Sequence, residues 1–174
     1  MIRVAFLLAL GMGMSAPSQA ELRDAPTGAF VSTLEVTVPG SPEAVFDALT
    51  GDISGWWDHT FSESPAKLFI EPKPGGGFWE IFDAQGNGVR HAVVTAADRG
   101  RLLRMEGPLG LAGNALLLVT TITLAPVEGG TLLKVSCHGS GELDPAWPQA
   151  VDGVWRHFIE GRFVPYMTER EGRR

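Results

Sequence analysis

DPAWPQAVDGVWRHFIEGRFV, residues Asp144 to Val164, is the stretch around which the rest of the chain is built. It opens on Asp144, a capping side chain, and Pro145, whose fixed φ suits a first helical turn. At about 100° per residue, Trp147, Val151, Val154, Trp155, Phe158 and Arg162 share one face, while Gln149, Asp152, Arg156 and Glu160 share the other. The spacing predicts a helix of about 20 residues, roughly 30 Å long. Ile159 and Phe163 fall near the polar side. Either Gly161 and Pro165 bend the helix there, or that end packs on something else. So broad an aromatic stripe needs a wide partner, and a curved sheet supplies one.

Working back from the helix, the chain reads as short strands. Ala29 to Val38 alternates and ends at Pro39-Gly40. Ser41-Pro42 opens a short helix with Val45, Phe46 and Leu49 on one face. Asp52 to Asp58 predicts a second helical turn carrying Trp56 and Trp57, which as neighbours cannot face the same way. Lys67 to Glu71, Gly77 to Asp83, Val89 to Ala96, Arg101 to Gly107, Leu116 to Leu124 and Thr131 to His138 follow, separated by turns such as Gln85-Gly86-Asn87-Gly88 and Glu128-Gly129-Gly130. About seven strands at hairpin spacing predict an antiparallel sheet. Strand phase sends Val89, His91 and Val93, Leu103 and Met105, Leu118, Thr120, Ile122 and Leu124, and Leu133 and Val135 inward. That mostly aliphatic set suits an apolar pocket and a solid core equally.

Upstream of the fold, Arg3, the apolar run Val4 to Met14 and Ser18-Gln19-Ala20 have the form of a secretory signal cut after Ala20, with Glu21 to Gly28 a loose leader. The apolar run is shorter than the roughly 20 residues a membrane span needs. What remains, about 154 residues, is one domain, 29–174, large enough to bury about two-thirds of its unfolded surface. The expected location is periplasmic or secreted. Twenty acidic against fourteen basic residues, and no basic run beyond the Arg173-Arg174 tail, argue against nucleic acid as a partner. A single cysteine, Cys137, rules out an internal disulfide. It shares a strand face with Leu133 and Val135, as a small buried residue would.

Few residues offer chemistry. His91 is phased inward, where an imidazole can orient a ligand or act as a base. His59 follows Asp58 in a loop, and His157 and Glu160 read as a surface pair. No close histidine or cysteine pair is present, so neither a metal nor a cofactor is expected. The glycine spacing around Ser140 is wrong for a nucleophile elbow, and Gly75-Gly76-Gly77 lacks the lysine of a phosphate loop. Arg162, on the apolar helix face, can meet a ligand carboxylate, pair with an internal acid such as Glu80, or lay its stem over apolar surface with its head in water.

Ser41-Pro42-Glu43-Ala44-Val45-Phe46-Asp47-Ala48-Leu49-Thr50, Trp56-Trp57, Pro74-Gly75-Gly76-Gly77-Phe78, Gly129-Gly130-Thr131 and the tryptophan-bearing last helix carry a resemblance. Over about residues 30 to 166 the chain resembles the START-like, or SRPBCC, helix-grip superfamily. That group includes birch-pollen-allergen-like proteins, START lipid-transfer domains, polyketide cyclases and activators of the heat-shock ATPase. The last two branches look nearest, although an export signal departs from cytosolic members that serve a chaperone ATPase. The resemblance implies an α+β helix-grip fold, with a sheet wrapped around the long helix and two short helices after the first strand. No catalytic pattern transfers with it.

The combined expectation is an exported carrier or sensor holding a small hydrophobic or amphipathic molecule between sheet and helix. The residues expected to line the pocket are Trp155, Phe158, Val151, Arg162, His91, Met105, Ile122 and Leu133. Two other readings stay open: a cyclase-type enzyme in which His91 and a nearby carboxylate move a proton, and a closed-core module that docks on a protein partner.

Overall fold

In the computed structural model, which describes residues 26–173, the first alternating stretch forms strand β1 (Thr27–Val38). The proposed signal segment lies outside the described residues. Ser41 caps helix α1 (Pro42–Leu49): its Oγ accepts the Ala44 N–H at 3.3 Å, and Pro42 occupies the first turn. Val45, Phe46, Ala48 and Leu49 are buried, and the Thr50 hydroxyl donates to the Phe46 carbonyl at the helix end.

A two-residue strand, β2 (Gly51–Asp52), follows, and the expected second helix is reduced to one turn in which the Trp56 and Trp57 amides both donate to the Ile53 carbonyl. Strands β3 (Lys67–Ile70), β4 (Gly77–Ile81), β5 (Gly88–Asp98), β6 (Leu102–Gly107), β7 (Leu116–Val127) and β8 (Gly130–Glu142) complete an eight-stranded antiparallel sheet. Its order is β1-β8-β7-β6-β5-β4-β3-β2, so the first strand pairs with the last and the short strands form the far edge. Asp83 builds the β4–β5 turn by accepting from the Gln85 and Asn87 amides, with Gly86 at φ 86° where a side chain would be strained.

The long C-terminal helix crosses the inner face of this curved sheet. It begins three residues after Asp144 and continues beyond Val164, as α2 (Trp147–Arg156), a π-helical segment (His157–Phe163) and α3 (Val164–Gly172). The π segment accounts for the residues that break the α-helical wheel. The Val164 N–H bonds the Ile159 carbonyl five residues back. Pro165 has no N–H to give, and its ring would crowd the carbonyl of Gly161 in a regular helix. Wider winding brings Phe163 round toward the face of Phe158, and Phe158, Ile159, Phe163 and Met167 are all buried. Ser32 Oγ donates to Asp152 at 2.6 Å and ties α2 to β1.

Leu103, Met105, Ile122 and Leu133 fill the space between sheet and helix and are at most 3 % exposed. The inward phase of β6, β7 and β8 is therefore as the sequence predicts. In β5 it is not. Ala92 and Val94 are buried and Val93 is only half-buried, because the register passes from Phe78 opposite Ala92 to Trp79 opposite Arg90. His91 is the extra residue of a β-bulge, and one extra residue inverts the phase beyond it.

Candidate functional site

The core is solid toward α3 but open toward α2. There the described residues enclose a cavity of about 640 Å³, within the range of small-molecule pockets. Trp57, Phe78, Trp155 and Phe158 make its aromatic walls, His91 and Leu118 face it from the sheet, and Ala150, Val151 and Val154 face it from α2. Two loops close the rim: Trp57 to Glu63, and Leu109 to Leu111, the latter a short 3₁₀ turn. Leu109 is in the left-handed region at φ 50°, a conformation uncommon for a side-chain-bearing residue and concentrated at functional loops.

Trp56 and Trp57 are both buried, and their rings meet edge-on with centroids 5.6 Å apart. Trp56 packs edge-on against Phe163 and donates its indole N–H to the Ala48 carbonyl at 3.0 Å. Trp57 stacks on Phe158 with centroids 3.7 Å apart and meets Phe78 edge-on, joining sheet and helix across the cavity. Its indole N–H donates to the His59 carbonyl, which holds the start of the rim loop.

At the sheet side of the cavity stands a buried carboxylate–imidazole pair. Glu80 is fully buried, and its Oε2 lies 2.9 Å from His91 Nε2. The same carboxylate accepts the Phe61 amide at 3.0 Å and the Ser62 amide at 2.7 Å, so it also anchors the rim loop. Burial alone would push the Glu80 carboxyl up. The hydrogen bonds from Phe61, Ser62 and His91 outweigh it, and the group titrates below its ordinary range. With Glu80 ionised, His91 Nε2 carries a proton and donates it, which in a neutral ring leaves Nδ1 as the basic nitrogen. His91 faces inward at the bulge, and Phe61 and Phe78 pack against its ring.

A second polar group sits at the rim. Asp58 Oδ1 is 2.9 Å from both His59 Nδ1 and His157 Nε2, and Oδ2 is 3.1 Å from Arg162 Nε. Burial works against the Asp58 charge, but its bonds to His157 and His59 prevail and hold the carboxyl below the usual aspartate range.

Of the residues expected at the pocket, the structure brings Val151, Trp155, Phe158 and His91 together around the cavity. Met105, Ile122 and Leu133 belong to the closed core and do not line it. Arg162 neither enters the cavity nor reaches Glu80: it is half-exposed and engages Asp58, while His91 holds Glu80. His157 pairs with Asp58 in place of Glu160, which faces Arg156. Glu80 itself was legible: Phe78 and Glu80 share a strand face, so an inward Phe78 carries Glu80 inward. The association of Asp58 with His157 carries no local signal, because the two lie ninety-nine positions apart. Cys137 is buried with its thiol pushed up by burial, and the Thr120 hydroxyl lies 3.6 Å from its sulfur.

No family model and no curated protein matches the sequence. Solved structures do match its fold. A protein of unknown function from Staphylococcus aureus is similar with a TM-score of 0.62 at 15 % identity, covering 85 % of this chain and 98 % of its own. An uncharacterised protein from Rhizobium leguminosarum gives a TM-score of 0.62 at 11 % identity over 84 % and 99 % of the two chains. A protein from Mesorhizobium loti gives 0.58 at 21 % identity over 81 % and 98 %. At such identities the likeness establishes the fold alone.

Proposed function

We propose that the chain is an exported carrier or sensor of the START-like, SRPBCC type, which holds one small apolar or amphipathic molecule between the sheet and α2. The observation that carries this reading is the 640 Å³ cavity with aromatic walls and one buried polar pair. Removing apolar ligand surface from water drives binding at about 25 cal/mol per Å². The Glu80–His91 pair gives the ligand a single polar anchor, which sets its orientation. The run from Ser41 to Thr50, the Trp56-Trp57 pair and the grip of the sheet on the last helix support the superfamily assignment.

Trp57 and Trp155 make the test direct. Indole fluorescence of the purified chain, titrated with a panel of fatty acids, sterols and polycyclic aromatics, is expected to change saturably at one equivalent with at least one class. A response identical in Trp155→Ala that remains folded would remove the cavity as the site.

A second reading rests on the Glu80–His91 geometry. A histidine whose Nε2 is held by an ionised carboxylate is oriented as a general base, which suits cyclase-type proton transfer in the same cavity. His91→Ala separates the two: an enzyme keeps its ligand and loses turnover, whereas a carrier shows no turnover in either form.

A further inference from the structure

We propose that Asp58, His59 and His157 bind a first-row transition-metal dication of the zinc class at the mouth of the cavity. The sequence offers no close histidine or cysteine pair, and His157 joins the neighbours Asp58 and His59 only because the last helix crosses the rim loop. Among the described residues this is where three histidine, cysteine or carboxylate ligand atoms converge, all within 4.8 Å of one another.

The spacing fits an ion. Two donors each about 2.1 Å from a shared metal lie about 3.0 Å apart when at right angles and about 3.4 Å apart when tetrahedral. Asp58 Oδ1 is 2.9 Å from each ring nitrogen. The imidazoles approach each other with centroids 5.0 Å apart, and both side chains are about half exposed, so small rotations close the remaining gap. Binding moves the proton that each neutral ring turns toward Asp58 to the ring's other nitrogen, and the freed nitrogen takes the metal. His157 opens the π-helical segment, a feature that recurs at functional sites.

Arg162 fixes the ion class. Its guanidinium pairs with Asp58 Oδ2 at 3.1 Å and offsets part of the carboxylate's charge, while His157 Nε2 lies against both oxygens, 2.9 Å from Oδ1 and 3.0 Å from Oδ2. A hard cation that depends on carboxylate charge gains little here. An ion that favours imidazole nitrogen, such as Zn²⁺, Co²⁺ or Ni²⁺, is selected over Mg²⁺ or Ca²⁺. Three protein ligands leave room for water or another small donor. Asp58 and His59 also line the cavity, so the ion stands beside whatever the cavity holds. The proposal stands apart from the ligand reading, since its test needs no ligand.

Tag-free protein stripped with chelator is titrated with Co²⁺, followed by visible absorption, and with Zn²⁺ by calorimetry. One saturable equivalent is expected, with no binding of Mg²⁺ or Ca²⁺ at the same concentrations. His157→Ala and His59→Ala should each weaken binding by about tenfold or more, at least what loss of an outer-shell partner does. His138→Ala, on β8 away from the cluster, should leave it unchanged. Both ligand rings are exposed enough for the variants to keep the parent's thermal transition, and His59→Ala decides alone if His157→Ala unfolds. Absence of saturable binding, equal affinity for Mg²⁺, or affinity unchanged in the histidine variants would show that the cluster is only a set of ion pairs and overturn the proposal.

Discussion

Glu80 and His91 meet at 2.9 Å beneath a loop whose Phe61 and Ser62 amides bond the same carboxylate. One buried side chain thereby fixes the strand bulge, the imidazole and the rim of the cavity together. Removing it leaves His91 and two amides without their acceptor. Glu80→Ala should cost about 3–5 kcal/mol, the usual effect of breaking a buried pair from one side. Urea unfolding at pH 7 measures it, and a loss below 1 kcal/mol would mean that water replaces the carboxylate.

The same pair predicts an acid limb. The Glu80 carboxyl titrates below its ordinary 4.5 in the folded state. It therefore contributes stability that is present above the ordinary value and lost as pH falls through the folded value. The stability difference between the parent and Glu80→Gln should shrink as pH drops below the ordinary carboxylate range. Unfolding curves between pH 7 and the acid limb test this, and a difference that grows toward acid would contradict it.

Phe163 tests the π segment. A regular α-helix would turn it toward water, and truncation would then change stability by only about 0.5 kcal/mol. In the structure it is fully buried and packs edge-on against Trp56, with centroids 4.9 Å apart. Phe163→Ala should cost about 3–5 kcal/mol, similar to Phe158→Ala. Thermal or denaturant unfolding of the two variants side by side gives the comparison.

Ala150 lies exposed on α2 at the cavity wall. Ala150→Trp should place an indole over the cavity while changing stability by only about 0.5 kcal/mol, as surface substitutions do. Ligand uptake should fall with the fold intact, measured by the fluorescence titration and by circular dichroism. Full uptake by the folded variant would move the site elsewhere.

Cys137 is fully buried, with its thiol pushed up by burial. A thiol reagent should therefore label the native protein slowly and modify one equivalent promptly once denaturant is added. Prompt labelling of the native chain would show that β8 opens readily.

Most of the fold was legible because its periodicities are regular. Inward phase in β6, β7 and β8 follows from single charged positions such as Lys134 and Arg104, and the cap at Ser41 follows from the Ser-Pro pair. Legibility ended where regularity did. At His91 one unpaired residue shifts β5, and at Phe163 an extra residue per turn shifts the helix. Nothing local marks the bulge, and Gly161 with Pro165 marked the helix irregularity without deciding its form. The cavity was hidden for another reason. The inner aliphatic residues are the same whether helix and sheet touch or stand apart, so Met105 and Leu133 in the core could not be told from Val151 at the opening. The rim cluster needs tertiary proximity across the whole domain.

Native mass spectrometry of the protein purified from an expressing cell, followed by organic extraction, decides whether the cavity holds a ligand. A folded chain carrying one equivalent of a small apolar or amphipathic molecule, recovered and identified in the extract, is the expected result. A bare chain that also takes up no lipid or aromatic compound from the fluorescence panel would contradict the account.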